Sequence, residues 1–379
     1  MRRKLALAAA LLLFSFLLSG CWDYRSMDEL NIVAGLAVDA REHGEGFTVT
    51  FELIDVSTMK GGSGSKSVYV TAEGPTVFEA VRNAKKKLYN KMYFGNTRAI
   101  IISREVAEKV GVRDLVTGFL RNPEPRETLS LIVSLEEKAS DLITSTGTDQ
   151  RIISYDMAQI IGEDKQVSAT SKQVLLYQAY NLIETPGKEL VLPAFHLTEN
   201  EGADAVELDG LAIFKGDKLA GFLSPDETRY FLLATDDRIG GPLSFPYSDD
   251  PASQEVSVTI YRCKNRPQVS YRDGKVSIKV EVNLEVGIVE LRGQELGSDA
   301  QRQALEGRLK AVVEQRMREV FEKVQQSPGA DIYGYGNMLY MDDHALWEKI
   351  GANWDNLFQN AEFTANVEVV ITHAGLMSK

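Results

Sequence analysis

The most restrictive feature of the sequence is a strict alternation of apolar and polar residues after residue 275. Every second position is apolar, at Val276, Ile278, Val280, Val282, Leu284 and Val286. This two-residue period predicts a β-strand with one buried and one solvated face, because successive side chains of a strand point to opposite faces. The preceding Asp273-Gly274 favours a tight hairpin turn. We therefore predict antiparallel sheet here, and we interpret the pattern as excluding a parallel central strand.

Helical periodicity predicts the elements that cover the sheets. Residues 298–326 place apolar side chains on one stripe, and Ser298 with Gln301 resembles a capping box at its start. In the first half, strand and helix patterns alternate, with a helix from Pro75 whose apolar stripe includes Phe78. We predict an α+β, multi-domain protein with mixed and antiparallel sheets, helices packed on the sheet faces, and a long amphipathic helix in the C-terminal domain.

The N-terminus has the organisation of an export signal. Arg2, Arg3 and Lys4 precede an apolar run over residues 5–18, interrupted only by Ser15. Because a transmembrane helix needs roughly 20 apolar residues, a cleaved signal fits this run better than a permanent membrane span.

A cysteine follows this signal directly. Leu18-Ser19-Gly20-Cys21 resembles the bacterial lipobox, whose cysteine receives diacylglycerol before the signal is removed. We therefore predict residues 1–20 to be a lipoprotein signal peptide and Cys21 to be an S-diacylglycerol, N-palmitoyl cysteine. The alternative is an ordinary cleaved signal followed by an unmodified cysteine.

The charge of the chain limits its partners. The full sequence has a net charge of −12, and removal of the three basic signal residues leaves 39 basic against 54 acidic residues, a net charge of −15. Nucleic-acid binding needs clustered Lys and Arg, so this composition argues against it. Acyl chains rather than basic residues are expected to hold such a protein on a membrane.

Residues with chemical potential do not form a recognisable catalytic or metal-binding motif. The Gly/Ser-rich residues 61–67 lack the glycine that precedes lysine in a phosphate-binding loop. The four histidines are far apart in sequence, without a second ligand at metal-binding spacing. Cys263 lies in a strand pattern, where a buried structural thiol is favoured. We predict no catalytic residue, no metal and no cofactor.

A polar, glycine-bearing segment near residues 198–204 suggests a division of the mature chain. We predict an N-terminal α/β-type domain over 21–198 and a C-terminal α+β domain over 199–379, with further subdivision possible. A mature chain of this length exceeds what a single core usually serves.

Several segments resemble the Ger(x)C family of spore germination lipoproteins over nearly the whole chain. They include Cys21-Trp22-Asp23, then residues 29–39 (ELNIVAGLAVD), 78–80, 93–96, 122–126, 209–215 and 331–336. Asn96 stands where the family more often has His. The resemblance implies a non-catalytic C subunit of a nutrient germinant receptor, a lipoprotein on the outer face of the spore inner membrane. It also implies two integral-membrane partners, the A and B subunits, and a small-molecule germinant sensed by the complex.

Two glycine- and aromatic-bearing segments are candidate contacts with those subunits. They are Tyr93, Phe94, Gly95 and Asn96, and Ile332, Tyr333, Gly334, Tyr335 and Gly336. The hypothesis requires these segments to be exposed loops. The alternative, turn residues that pack inward, fits the sequence equally well.

Two other classes of protein are alternatives. An extracytoplasmic solute-binding lipoprotein would have two doubly wound, parallel-sheet lobes, which the Asp273-Gly274 hairpin argues against. A cell-envelope hydrolase would need a nucleophile with a base, and the sequence offers no such pair.

Overall fold

The computed structural model describes residues 3–4, 29–42, 45–55, 66–122, 124–145, 152–200, 202–248, 250, 254–291 and 298–373. Nine strands form a large sheet: β1 Leu30–Ala40, β2 Phe47–Asp55, β3 Lys66–Gly74, β4 Lys91–Tyr93, β5 Ala99–Ile102, β6 Ser130–Ser134, β7 Val191–Asn200, β8 Ala203–Lys215 and β9 Lys218–Leu223. Four strands form a smaller sheet: β10 Pro242–Pro246, β11 Glu255–Arg272, β12 Lys275–Leu291 and β13 Glu362–His373. The predicted α+β class with two sheets is confirmed.

The large sheet is mixed, with parallel strands at its centre and antiparallel strands on both sides. Its order is β3-β2-β1-β5-β6-β7-β8-β9, and the short β4 pairs in parallel with the start of β1. The pairs β1–β5, β5–β6 and β6–β7 are parallel. All four residues of β5 are fully buried. A continuous apolar strand of this kind forms where both sheet faces are covered.

Helices cover both faces of the large sheet. The helices of this half are α1 Val77–Lys85, α2 Arg113–Leu120, α3 Ala139–Thr144, α4 Ile153–Val167 and α5 Leu176–Glu184. Helices α1, α2 and α5 pack on one face, where Ile100 and Ile102 point, and α3 and α4 pack on the other, with Ile101. Because successive isoleucines of β5 point to opposite faces, they contribute to the hydrophobic core on each side of the sheet.

Two helix predictions in this half need correction. Helix α1 buries Ala80, Val81 and Ala84, whereas Phe78, expected in the apolar stripe, is 56% exposed. The helical pattern over residues 105–120 divides into a π-helical turn, Val106–Val110, and α2. Gly111 separates them with a φ of +94°, a conformation that glycine adopts readily and other residues rarely do.

The smaller sheet contains the alternating strand that the sequence predicted. β12 pairs with β11 antiparallel and with β13 in parallel, so the exclusion of a parallel central strand is wrong. The alternation reflects coverage of one sheet face and carries no information about the direction of the neighbouring strand. The predicted strands over residues 255–263 and 268–272 are one continuous strand, β11.

The long helix predicted from the sequence packs on the covered face of the smaller sheet. This helix, α7 Asp299–Gln326, begins after Ser298, whose hydroxyl accepts a hydrogen bond from the backbone N–H of Gln301 at 3.3 Å. Its buried stripe is Leu305, Leu309, Val313, Met317, Val320, Phe321 and Val324. The prediction of a core-covering amphipathic helix is confirmed.

Helix α7 also protects the edge of this sheet. The carboxylates of Glu306 and Glu314 accept hydrogen bonds from the backbone N–H groups of Ile371 and Val367 in β13, both at 2.9 Å. An exposed strand edge is a template for pairing with another chain. These two glutamates occupy donors that a foreign strand would otherwise use.

The large sheet continues past the predicted domain boundary at residues 198/199. That boundary falls near the end of β7, which pairs along most of its length with β8, and β9 completes the sheet at Leu223. Ser224 then caps helix α6, Pro225–Thr235, in a capping box with Glu227. Helix α6 contributes Phe231, Leu232 and Leu233 to the core that it shares with α7 and the smaller sheet. Helix α6 is thus the element at which the chain passes from the large sheet to the smaller one.

Three short helices complete the second half: α8 Tyr335–Asp342, α9 His344–Ile350 and α10 Trp354–Gln359. The sequence predicted one helical segment over residues 344–358, but a 3-10 turn at Gly351–Asn353 divides it. No helix among the residues given above is long and apolar enough to cross a membrane.

Candidate functional site

The predicted lipid attachment point, Cys21, and most of the predicted signal peptide lie outside the described residues. Nine residue steps separate Cys21 from Leu30, where β1 begins. Because an extended chain spans at most about 3.6 Å per residue, Leu30 lies within about 32 Å of Cys21. We call the end of the large sheet at which β1 begins the anchor-side end.

The candidate contact over Tyr93–Asn96 lies at the anchor-side end. β4 pairs residue by residue with the start of β1, so that Tyr93 lies beside Ile32. Tyr93 is 42% exposed, and Asn96 is also exposed. Phe94 points inward and meets the Phe51 ring edge-on at a centroid distance of 6.4 Å. The segment therefore presents two of its three side chains, Tyr93 and Asn96, to solvent.

Tertiary contacts hold this turn in a fixed position. The Tyr155 hydroxyl donates a hydrogen bond to the carbonyl of Asn96 at 3.0 Å. The Thr97 hydroxyl donates to the carbonyl of Val33 in β1 at 3.1 Å. A Cβ at Gly95 would lie 2.4 Å from the Tyr93 hydroxyl, so the glycine leaves room for the tyrosine ring to fold over the backbone. The exposed surface is thus preorganised, which lowers the entropy lost on binding.

The second candidate contact, Ile332–Gly336, is not exposed, so this part of the prediction is wrong. Ile332, Tyr333 and Tyr335 are 2%, 8% and 1% exposed, and both glycines are buried. The segment precedes and enters helix α8, and the stacked rings of Tyr333 and Tyr335 lie between α6, α7 and α10. The alternative in which these residues pack inward is correct.

This buried segment, which we call the junction loop (residues 330–337), joins the two halves of the molecule. The N–H of Glu189 donates to the carbonyl of Asp331 at 2.9 Å, and the N–H of Asn337 donates to the carbonyl of Gly187 at 2.8 Å. A Cβ at Gly336 would lie 2.5 Å from the Trp354 indole nitrogen and 2.9 Å from the Cα of Gly187. Glycine is therefore required by close packing rather than by a surface role.

Asp331 is the polar centre of the junction loop. Its Oδ1 accepts a hydrogen bond from the N–H of Gly334 at 2.8 Å. Its Oδ2 accepts from the N–H of Gly336 at 2.7 Å and from the indole N–H of Trp354 at 3.1 Å. Burial raises the pKa of Asp331 to about 6, and these hydrogen bonds limit the rise. The buried carboxylate organises the loop.

Two further buried carboxylates are helix caps. Glu52 accepts hydrogen bonds from the N–H groups of Ile153 and Ser154 at the start of α4, both at 2.9 Å. Asp39 accepts from Ala139 and Ser140 at the start of α3, at 2.6 and 3.1 Å. Burial raises the pKa of both acids. Their partners are the unpaired donors of helix N-termini, which identifies a structural role.

Cys263 and His196, the other side chains considered for chemistry, do not form a reactive site together. Cys263 is 1% exposed, and burial raises the pKa of its thiol to about 12, so the nucleophilic thiolate is scarce at neutral pH. His196 lies between Glu207 and Asp209, with nitrogen-to-oxygen distances of 3.7 and 3.5 Å. Within the described part of the chain, no group of three His, Cys, Asp or Glu side chains is placed to hold a metal ion.

A groove between α1 and α2 is a feature that the sequence did not reveal. It holds a cavity of about 470 Å³ with apolar walls formed by Phe47, Val77, Val81, Leu115 and Phe119. Phe78 and Val110, which are 56% and 50% exposed, stand at its rims. The only sequence signal was Phe78 itself, and its helical spacing predicted a core residue. We call this feature the α1–α2 groove.

Comparison with known proteins identifies matches to both halves of the chain. A family model described as "spore germination protein N-terminal domain" matches residues 23–197. A second model, described as "spore germination B3/GerAC like, C-terminal", matches residues 209–375.

Relatives in Bacillus subtilis (strain 168) match almost end to end. Spore germination protein KC is 23% identical, over 99% of this chain and 97% of its own length. Spore germination protein B3 is 23% identical, over 96% of each chain. Spore germination protein A3 is 24% identical, over 95% of each chain.

A solved structure shares the fold. The crystal structure of the GerBC protein aligns with a TM-score of 0.59 and 18% identity, covering 89% of this chain and 97% of that one.

Proposed function

Because the chain belongs to the Ger(x)C family of spore germination proteins, we propose that it is the lipid-anchored, non-catalytic C subunit of a nutrient germinant receptor. In this proposal the lipid on Cys21 holds the protein on the outer face of the spore inner membrane. There it assembles with the integral-membrane A and B subunits, and the complex responds to a small-molecule germinant.

The observation that carries the proposal is the position of the Tyr93–Asn96 turn. It lies beside the start of β1, whose first residue, Leu30, is within about 32 Å of Cys21, and it presents Tyr93 and Asn96 to solvent. A lipid anchor at Cys21 would hold this turn close to proteins embedded in the same membrane. Tethering raises the effective concentration of such partners to roughly millimolar, so modest contacts suffice for assembly.

The use of the buried polar groups supports a non-catalytic role. Asp331, Glu52 and Asp39 each accept hydrogen bonds from two backbone N–H groups that need an acceptor. A catalytic acid or base must instead reach a substrate through a cleft. The alternative of a solute-binding lipoprotein is less well supported, because the smaller sheet is covered on one face rather than forming a second doubly wound lobe.

The anchor is tested by mass spectrometry of the mature N-terminus and by membrane fractionation. We expect the native protein to begin at an acylated Cys21, and Cys21→Ser to leave the membrane fraction. Cys263→Ala is the matched control, since it removes the other cysteine of the chain, and it should stay lipidated and membrane-bound. An unmodified Cys21 in spores, or normal membrane retention of Cys21→Ser, would contradict the anchor.

The subunit contact is tested by co-purification of polytopic proteins with the lipidated protein from spore membranes. We expect A- and B-type subunits with the wild type and a reduced yield with Tyr93→Ala. Tyr180→Ala is the matched control, because Tyr180 is a 40% exposed tyrosine on α5, away from this turn. Equal yields from both variants would remove Tyr93 from the interface, and no polytopic partner with the wild type would contradict the proposed function.

A further inference from the structure

A glycine in α2, Gly118, leaves the α1–α2 groove open although the packing of the fold does not require a small residue there. Gly118 lies in the last turn of α2 and lines the groove, and a Cβ built on it would meet no atom within 4 Å. Glycine inside a helix costs about 1 kcal/mol relative to alanine. A larger side chain at residue 118 would therefore favour the helix and would enter the groove instead of the core.

The rims of the groove have the composition of a protein-binding surface. The Phe78 ring is more than half exposed, and the Arg82 guanidinium carbon lies 4.8 Å from its centroid. Val110 on the opposite rim is half exposed. Aromatic and arginine side chains with adjoining apolar surface are enriched at protein interfaces. A small-molecule site, in contrast, buries most of its ligand, which a trough with two exposed apolar rims does not do.

A row of basic residues continues from the groove along α1. A shallower depression of about 960 Å³ shares Thr76, Phe78 and Val81 with the groove and adds Arg82, Lys85 and Lys86. Glu79 and Glu124 also line this depression and Asp114 lines the groove, so the basic character is confined to the row on α1. Phe78, Arg82 and Lys85 or Lys86 are spaced three or four residues apart, so they share one face of α1.

The direction of α1 relates the groove to the anchor-side end. The helix begins at Val77, just after β3 ends, and residues 86–90 connect its C-terminus to β4 beside the start of β1. The basic end of the row therefore points toward the end of the sheet nearest Cys21. A segment of a membrane-embedded partner that rises from the bilayer would meet this end first.

We propose that the α1–α2 groove docks an amphipathic helical segment of a membrane subunit of the receptor. Apolar side chains of that segment occupy the slot between Val81 and Leu115, and its acidic residues face Arg82, Lys85 and Lys86. This is the helix-in-groove mode of recognition, in which apolar residues three, four and seven apart anchor a helix. The inference rests on the proposed function, since it names the surface through which the subunit assembles.

The test is to fill the groove without disturbing the core. Gly118→Leu places a side chain in the slot, and Gly162→Leu is the matched control, because Gly162 lies in α4 on another surface and its Cβ would also meet no atom within 4 Å. Full-length lipidated variants are purified from spore membranes, and the yield of polytopic subunits is measured. We expect Gly118→Leu to lower that yield at least tenfold and Gly162→Leu to leave it unchanged. Both variants should unfold at or above the wild-type temperature.

The outcomes separate this inference from the proposed function. If the wild type brings no polytopic subunit, the proposed function fails and the groove proposal falls with it. If polytopic subunits co-purify with the wild type and equally well with Gly118→Leu, the groove proposal alone is wrong.

Two further measurements identify the occupant of the groove. A photo-crosslinking benzoylphenylalanine at position 78 should attach to a polytopic subunit. Crosslinks to lipid or to a second copy of this chain would overturn the proposal. A double variant, Lys85→Glu with Lys86→Glu, should lower the yield of polytopic subunits most at low salt, where charge interactions are least screened. An unchanged yield would exclude the acidic partner.

Discussion

The Tyr93–Asn96 turn and the junction loop have similar sequences and opposite environments. Both combine aromatic residues with glycine, yet Tyr93 is 42% exposed while Tyr335 is 1% exposed. Gly95 makes room for the tyrosine beside it, whereas Gly336 makes room for Trp354 and for Gly187 of the other half. The comparison shows that aromatic residues next to glycine indicate close packing around the glycine. Elements distant in sequence decide whether that packing lies inside the protein or at its surface.

The largest expected effect comes from removing the acceptor at the centre of the junction loop. Asp331→Ala leaves the N–H of Gly336 and the indole N–H of Trp354 without a partner, and it leaves the N–H of Gly334 only the residue 331 carbonyl at 3.4 Å. Each unpaired donor costs roughly 1–3 kcal/mol, partly offset by relief of the buried charge, so we expect a loss of about 4 kcal/mol in the free energy of unfolding. Asp343→Ala, which removes the exposed N-cap of α9, should cost only about 1 kcal/mol. Equal losses in denaturant titrations would contradict the central role of Asp331.

The pH dependence of Asp331 sharpens the same contrast. Its pKa of about 6 in the folded protein is above the ordinary value of 3.8, so its protonated form is favoured by folding. The stability that this group contributes is fully present below pH 3.8 and is lost as the pH rises through 6. Tyr333 and Tyr335 of the same loop face this carboxylate, and burial raises the pKa of both. Lys188, outside the loop, also interacts with Asp331, and burial lowers the pKa of Lys188.

Asp331→Asn isolates this titration, because all other groups are common to both proteins. The stability of the wild type minus that of the variant should fall by about 2 kcal/mol between pH 4 and pH 7.5. Urea unfolding at several pH values measures the difference. A difference that does not change with pH would show that Asp331 titrates normally.

The two glycines give a direct test of the comparison. Gly336→Ala forces a methyl group against the buried Trp354 ring and the backbone of Gly187, and we expect a loss of about 2–3 kcal/mol. Gly95→Ala meets only the end of the partly exposed Tyr93 side chain, which can move, so the loss should stay below about 1 kcal/mol. Thermal unfolding of both variants checks the order. A larger loss for Gly95→Ala would reverse the assignment of interior and surface.

The smallest expected effect concerns the hydroxyl of Tyr335. This buried oxygen has no hydrogen-bond partner. Because an unpaired buried hydroxyl is unfavourable, Tyr335→Phe should stabilise the protein by up to about 1 kcal/mol. Calorimetry detects such a change, and a clear destabilisation would indicate that the hydroxyl has a partner in solution.

Elements whose signal is local could be predicted well. The hairpin at Asp273-Gly274, the helix after Ser298 and the buried strand around Ile100 all follow from short-range periodicity and turn chemistry, and all three are present. The roles of Glu52 and Asp39 could not be predicted. Each contacts a helix about 100 residues away in sequence, and no local pattern distinguishes a capping carboxylate in a strand from a solvated one.

The sequence alone determined most of the strands and helices and the apolar faces of β12 and α7, because side-chain direction repeats with a fixed period along each element. Only the tertiary structure decided that β13 joins β12 in parallel, that Phe78 lies at the rim of a groove, and that the junction loop is internal. These properties depend on which distant surfaces meet. Two segments that both combine aromatic residues with glycine reach different free-energy minima when one packs against another half of the molecule and the other faces water.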